Sequence, residues 1–336
     1  MQKFTVTKKE EGQRFDKYLK KLLPEAAGGF LYKMLRKKNI TLNGKKAAGN
    51  EVILAGDSVE MFFAEETFQK FSGKFKTRTE SGRSYEKACR SLSDISVIYE
   101  DEDILILNKP VGVLTQKAEK EDISLNEWML GYLFEKGELT KEDAGHFRPS
   151  VCNRLDRNTS GLVLCGKSIR GSQFLSKMLR NRSLRKYYTA LAQGRIGEEI
   201  RLEGYLKKEE EKNLSYILSE EKYESLVISR PETEKEYKKI ETVIKPVFYD
   251  AEKDFTKLEV LLVTGKSHQI RAHLAGIGHP VLGDYKYGWK PRNKREEALK
   301  YQLLHAGRIE FPEIEGEFAY LSGKCLRAPE PESLGR

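Results

Sequence analysis

No stretch of this 336-residue chain stays apolar for the roughly 18 residues that a membrane-spanning helix needs. The opening residues Met1-Gln2-Lys3-Phe4-Thr5-Val6 lack the apolar segment of a secretory signal. Cysteine is scarce. Cys89, Cys152, Cys165 and Cys325 are scattered, with no CxxC pair, which argues against a zinc finger and against a disulfide framework. These absences point to a cytoplasmic protein that does not enter a membrane. Acidic residues are in the minority, 51 Asp and Glu against 60 Lys and Arg, for a net charge of +9. That excess favours a polyanionic partner without choosing between nucleic acid and an anionic surface. What the chain does have is length for two domains and enough apolar residues, 39% of the total, for ordinary cores.

Residues 1–64 read as a small domain. Phe15, Tyr18, Leu19, Leu22 and Leu23 recur at helix spacing. A second helix is expected over 30–38, with a basic end. Ile40-Thr41-Leu42 then runs as a strand into the turn Asn43-Gly44, and a further short strand is expected at 58–61. Residues 65–94 read as a basic linker, since 67–90 carry seven basic and two acidic residues and almost no apolar period. Residues 95–336 form the second domain. Its strands are expected at 97–107 (strand, turn, strand), 162–167, 187–192, 256–263 and 309–311, and its helices at 123–134 and 173–179. Strands and helices do not alternate regularly. The fold class expected is therefore α+β: a mixed, largely antiparallel sheet flanked by helices, with a small α/β domain at the N-terminus. Residues 207–239, highly charged, read as a surface hairpin and connector. There is no internal repeat.

The densest chemistry lies in Arg154-Leu155-Asp156-Arg157-Asn158-Thr159-Ser160-Gly161-Leu162. A lone Asp normally stays on the surface. One placed between two arginines, before a Gly turn and a short apolar strand, is a candidate nucleophile, and nearby opposite charge favours a carboxylate's ionised form. From the residues alone, an Asp that caps a turn is the plainer reading. His268 and His273 lack a third metal ligand at helical spacing and read as structural. Thr264-Gly265-Lys266-Ser267 ends like a phosphate loop, but the first glycine of that motif is missing, which excludes nucleotide hydrolysis.

The Asp156 stretch resembles the RLDxxTSG signature of the pseudouridine synthases, in the branch that modifies ribosomal and transfer RNA. Three further segments resemble the same family in the same order. Asn108-Lys109-Pro110-Val111-Gly112 is similar to its NKPxG turn, Lys186-Tyr187-Tyr188-Thr189-Ala190 to its KxYxA segment, and Thr264-Gly265-Lys266-Ser267-His268-Gln269-Ile270-Arg271-Ala272-His273-Leu274 to its TGRTHQIRxHL segment. Leu304-His305-Ala306 resembles a scaffold strand near the family's C-terminus. Asn153 stands where many members carry His, and Lys266-Ser267 where many carry Arg-Thr. The resemblance implies isomerisation of uridine to pseudouridine in structured RNA, with large-subunit ribosomal RNA ahead of transfer RNA as substrate. It implies Asp156 as the catalytic carboxylate, Tyr188 rather than Tyr187 as the active-site tyrosine, and Arg271 as the partner of Asp156. It implies no cofactor and no metal. Residues 1–64 resemble the small RNA-binding domain named after a small-subunit ribosomal protein. On that likeness Lys33, Arg36, Lys37, Lys38, Lys45 and Lys46 face RNA, with Arg154 and Arg157 as weaker candidates beside the catalytic Asp. A monomer is expected.

Two rival readings differ in what they require. A noncatalytic RNA-binding or assembly factor needs the basic N-terminal segment but not Asp156, Tyr188 and Arg271 together. A hydrolase of small glycosides needs a second catalytic carboxylate, which does not stand out, and gives residues 1–64 nothing to do.

Overall fold

The structure is a computed structural model, and it describes residues 1–72, 79–140 and 147–335. The chain divides into two compact units assembled from separate stretches. One holds Met1–Leu107, Leu114–Arg154 and Val163–Lys177; the other holds Asn108–Val113, Leu155–Leu162 and Met178–Arg336.

The first unit opens with β1 (Gln2–Thr5), α1 (Phe15–Leu22), α2 (Gly28–Arg36), β2 (Ile40–Leu42), β3 (Lys45–Lys46) and β4 (Ser58–Met61). The strands form an antiparallel sheet in the order β1-β4-β2-β3. Helix α1 buries Phe15, Tyr18, Leu19 and Leu22, one face of a 3.6-residue period, and α2 adds Leu31, Met34 and Leu35 to the same core. β2 and β3 are joined by Asn43-Gly44, both at positive φ (52° and 70°). That is the two-residue turn whose twist matches a hairpin. Lys33, Arg36, Lys37, Lys38, Lys45 and Lys46 are all exposed around α2 and this hairpin.

The stretch expected as a linker carries two helices, α3 (Glu65–Phe71) and α4 (Thr79–Ser91). Helix α4 is held by packing that its polar composition hides. It buries Tyr85 and Ala88 and lies against α5 (Leu125–Glu135) at Gly131, where a Cβ would come within 2.3 Å of the Tyr85 carbonyl oxygen. The unit is completed by β5 (Ser96–Glu100), β6 (Ile104–Lys109), β7 (Ser150–Val151), most of β8 (Ser160–Gly166) and α6 (Ile169–Arg180). Residues 1–64, expected as a separate domain, thus fall within the same unit as 65–107.

The second unit is built on β9 (Arg185–Gln193), β10 (Ile200–Glu209), β11 (Leu214–Leu218), β12 (Lys238–Asp250), β13 (Phe255–Leu262), β14 (Leu304–Glu310) and β15 (Cys325–Arg327). Its sheet runs β11-β10-β12-β13-β9-β14, then the first residues of β8, with β15 on β14. Every pair is antiparallel except β14 with β8. This is the mixed, largely antiparallel sheet of the α+β class. Pro246 sits in β12 beside a register shift, where its missing N–H costs the ladder least. The charged stretch after β10 is a hairpin to β11 followed by α7 (Glu220–Ser229).

Helix α8 (Gln269–Gly276) was not legible as a helix, because it is buried from Gln269 through Leu274 and so shows no apolar stripe. Its polar residues are buried with partners for most of their polar atoms, His273 Nε2 being left without one among the described residues. The Gln269 amide accepts from Thr264 Oγ1 and the Lys266 N–H, and donates to the Glu241 carbonyl and Thr242 Oγ1. His273 Nδ1 lies 2.9 Å from Thr242 Oγ1. His273 is thus a structural histidine, as expected.

Two outcomes test this packing. Gly161 has φ +114°, and a Cβ there would lie 2.2 Å from the Ala306 carbonyl oxygen across the β8–β14 contact. Gly161→Ala is therefore expected to cost roughly 2–5 kcal/mol in urea unfolding, from backbone strain and overpacking together; an unchanged midpoint would contradict the close approach. Burial pushes His273 down to about 4. Between that value and the unfolded value of about 6.5, the unfolded chain binds a proton that the native state refuses, so stability falls by roughly 3 kcal/mol as pH drops through this window. His273→Asn should flatten the fall between pH 6.5 and 4, measured as unfolding free energy against pH.

Candidate active site

Asp156 lies in the loop that leads into β8, where the Thr159 N–H donates to its carbonyl at 3.0 Å and closes a turn. Its side chain is 24% exposed. Arg271, on the first turn of α8, donates from Nη1 to Asp156 Oδ2 at 2.9 Å. The rest of that guanidinium is a fork on Asp284. Nε reaches Oδ2 at 2.6 Å and Nη2 reaches Oδ1 at 2.8 Å. Planar and permanently charged, an arginine can serve two carboxylates at once. Burial works against its charge, but Asp284 and Asp156 outweigh that and hold it firmly protonated. The guanidinium also lies 5.0 Å from the Tyr287 ring. Asp284 is 1% exposed, with both oxygens occupied. It is a clamp on Arg271 and not the free second carboxylate that a glycoside hydrolase needs. Asp156 Oδ1 has no hydrogen-bond partner among the described residues.

Tyr188 is on β9, paired with Val260 of β13, and 7% exposed. Burial pushes its hydroxyl pKa upward and the charge of Asp156 adds to the effect, so the hydroxyl keeps its proton near neutrality and acts as a donor. Tyr187, the next residue of the strand, faces the opposite side. There its ring meets the Arg308 guanidinium at 3.7 Å. Lys186 shares the Tyr188 face. Its ammonium lies near Gly265, and burial with the neighbouring Arg182 makes it easier to deprotonate.

Two residues near Asp156 were given no part in the site by the sequence reading. Lys109 is wholly buried, and its ammonium donates to the carbonyls of Pro110, Val113 and Arg157 at 2.9, 2.8 and 3.0 Å. Gly112 N–H also donates to the Arg157 carbonyl, and Arg157 Nε donates back to the Gly112 carbonyl. The Pro-Gly turn is thereby strapped to the loop that carries Asp156. Burial lowers Lys109 to about 7, opposed by Asp156, while three carbonyl acceptors match the three N–H bonds of the charged form. The available signal was a lysine that ends an apolar strand directly before proline. His268 is the other. Expected to be structural, it has its Nε2 3.8 Å from Asp156 Oδ2. Of the two arginines flanking Asp156, Arg157 holds the turn by its Nε and Arg154 is exposed. Among the described residues, no three His, Cys, Asp or Glu side chains gather as a metal site would require, and no helix is long and apolar enough to cross a membrane.

Comparison with known proteins bears on the family and the fold. The sequence profile for RNA pseudouridylate synthase matches residues 103–276. An uncharacterized RNA pseudouridine synthase of Mycoplasma genitalium is 29% identical over 330 residues, covering 96% of this chain and 94% of the relative. A protein of Rickettsia prowazekii named ribosomal large subunit pseudouridine synthase C is 31% identical, covering 93% of each. Among solved structures, human RNA pseudouridylate synthase domain containing 4 aligns with a TM-score of 0.53 at 15% identity, over 76% of this chain and 95% of that one. Human RNA pseudouridylate synthase domain containing 1 aligns at 0.51 and 21%, over 72% and 84%. These last two show the shared fold. The chain therefore belongs to the RNA pseudouridylate synthase family, whose reaction isomerises uridine to pseudouridine in RNA.

Proposed function

We propose that Asp156 is the reacting group of this synthase, that Arg271 and Tyr188 serve it, and that the substrate is large-subunit ribosomal RNA, with transfer RNA second. The observation that carries the assignment is the asymmetry of Asp156: Oδ2 is held by Arg271 while Oδ1 is left without a partner among the described residues. In the net reaction the bond from uracil N1 to the sugar breaks, a bond from C5 to the same sugar carbon forms, C5 loses a proton and N1 gains one. Nothing is oxidised or reduced, so the chemistry asks for no cofactor. Two routes start from Oδ1, attack on the nucleotide and removal of a proton from the sugar. The target must leave its stack, which costs a few kcal/mol. Tyr188 meets the freed uracil ring, and its retained proton is available to a base carbonyl or to N1. Arg271 keeps Asp156 aimed.

Residues 1–64 supply RNA affinity through Lys33, Arg36, Lys37, Lys38 and Lys45, which are exposed and carry charge to phosphates without reading sequence. Arg154 adds a weaker contact, and Arg157 contributes through the turn it holds. The similarity to a relative named for the large ribosomal subunit supports that RNA as substrate. The protein acts as a monomer.

Tritium release from RNA labelled at uracil C5 tests the chemistry. Asp156→Asn is expected to lose at least about a thousandfold, and release equal to the unaltered protein would remove Asp156 from its role. Arg271→Lys keeps the charge but cannot bridge two carboxylates, and is expected to lose about a hundredfold in kcat. Release from large-subunit RNA transcripts but not from transfer RNA is the expected substrate pattern. For binding, replacing Lys33, Arg36 and Lys37 with Ala should reduce the slope of log affinity against log salt by nearly 1 per cation removed. An unchanged slope would take α2 off the RNA.

A further inference from the structure

A chain of oriented groups runs from β11 to Asp156 and passes through His268. Ser215, on β11, uses its hydroxyl to donate to the Ser267 carbonyl at 2.8 Å. Its backbone N–H donates to Tyr287 Oη at 2.8 Å. Tyr287 Oη lies 3.0 Å from His268 Nδ1, with the two rings edge to face. His268 Nε2 then faces Asp156 Oδ2 at 3.8 Å. His268 holds a left-handed backbone conformation, φ +56°, directly before α8. That conformation is uncommon outside glycine, and here it turns the ring toward the carboxylate.

The tautomer follows from this geometry. Tyr287 Oη already accepts from Ser215, and the Ser215 hydroxyl proton is committed to Ser267. The phenolic proton is therefore free to go to Nδ1, which leaves the imidazole proton on Nε2. The opposite tautomer would point an Nε2 lone pair at a carboxylate. The charged groups around the ring are Asp156, Arg271, Lys286 and Asp284. Burial chiefly, with help from Arg271 and Lys286, keeps His268 neutral near pH 7 against the pull of Asp156. A neutral ring with a fixed N–H is a directional donor and not a second cation.

Resting on the activity proposed above, we propose that His268 is a positioning residue for Asp156. In the RNA-bound enzyme its Nε2–H donates to Oδ2, so that Arg271 and His268 hold one carboxylate oxygen from two sides and leave Oδ1 as the reacting atom. A separation of 3.8 Å is too long for that bond, but catalytic hydrogen bonds are often long before substrate arrives and tighten in the complex. The β10–β11 hairpin, through Ser215 and Tyr287, sets the ring that sets the carboxylate.

The test compares His268→Leu, His268→Gln, Tyr287→Phe and the double variant Tyr287→Phe with His268→Leu. Leu and Gln are similar in size and meet the same backbone strain, but only Gln keeps an N–H donor. The readouts are kcat and KM from tritium release, using large-subunit ribosomal RNA transcribed with 5-tritiated uridine, and the thermal midpoint. The expected result is a fall of about a hundredfold in kcat for His268→Leu, with KM kept and most of the loss recovered by Gln. Tyr287→Phe falls in the same direction, and the double variant falls no further than His268→Leu alone. Equal losses for Leu and Gln, a kcat for Leu within about twofold of the unaltered protein, or additive losses in the double variant would each overturn the inference while leaving the activity standing. No release by the unaltered protein from this RNA or from transfer RNA labelled in the same way would overturn the activity itself, and this inference with it.

Discussion

A buried guanidinium shared by two carboxylates is the constraint around which the second unit is arranged. Arg271 is 6% exposed. An ion so removed from water is tolerable only when its charge and its N–H bonds are answered, because the desolvation of an unpaired buried charge costs several kcal/mol. Asp284 answers with both oxygens and is itself out of solvent. Asp156 answers with one. The pairing has two structural costs. Helix α8 must enter the interior with its polar residues, which requires Gln269 and His273 to find β12. The turn that bears Asp284 must close tightly, and at Gly283 (φ +78°) a Cβ would meet the Tyr301 carbonyl at 2.1 Å.

The Asp156 loop is fixed just as firmly from its other side. It joins a strap formed by Lys109, Gly112 and Arg157 to a strand that touches the β14 backbone at Gly161. A loop so held has little conformational freedom left to lose. The glycine at 112 is needed for positive φ, the glycine at 161 for positive φ and close approach, and the lysine at 109 for three donors in a fixed tripod. None of these side chains need touch the substrate to matter for the reaction.

Electrostatically the site joins two carboxylates with one fully charged arginine, and further cations lie around them. Lys286 is exposed and made easier to deprotonate by burial of its stem and by Arg271, with Asp156 and Asp284 opposing. Lys186 is held on the Tyr188 face. Cations thus lie around a pair of carboxylates. This is the local form of the excess of 60 basic over 51 acidic residues in the chain as a whole.

Much of this was written in short-range pattern. The apolar spacing of Phe15, Tyr18, Leu19 and Leu22 specifies α1, and Asn43-Gly44 specifies the hairpin, because both depend on neighbours a few residues apart. Asp156, Tyr188 and Arg271 stood out as candidates because each sits in a dense local motif. Helices α4 and α8 escaped, since one is so polar that its few apolar residues do not stand out before Gly131 of α5 packs on them, and the other is buried through most of its length and shows no apolar stripe. Lys109 and His268 escaped for a related reason. A lysine becomes a strap, and a histidine turns toward a carboxylate 112 positions away in the sequence, only when distant segments supply the carbonyls and the phenol that orient them. Sequence by itself determined which chemical groups were available and which local turns and helices would form, because those are set by spacing and backbone preference. Only the tertiary structure decided which oxygen of Asp156 is held and which is left open, because that depends on partners brought in from α8 and the Asp284 turn.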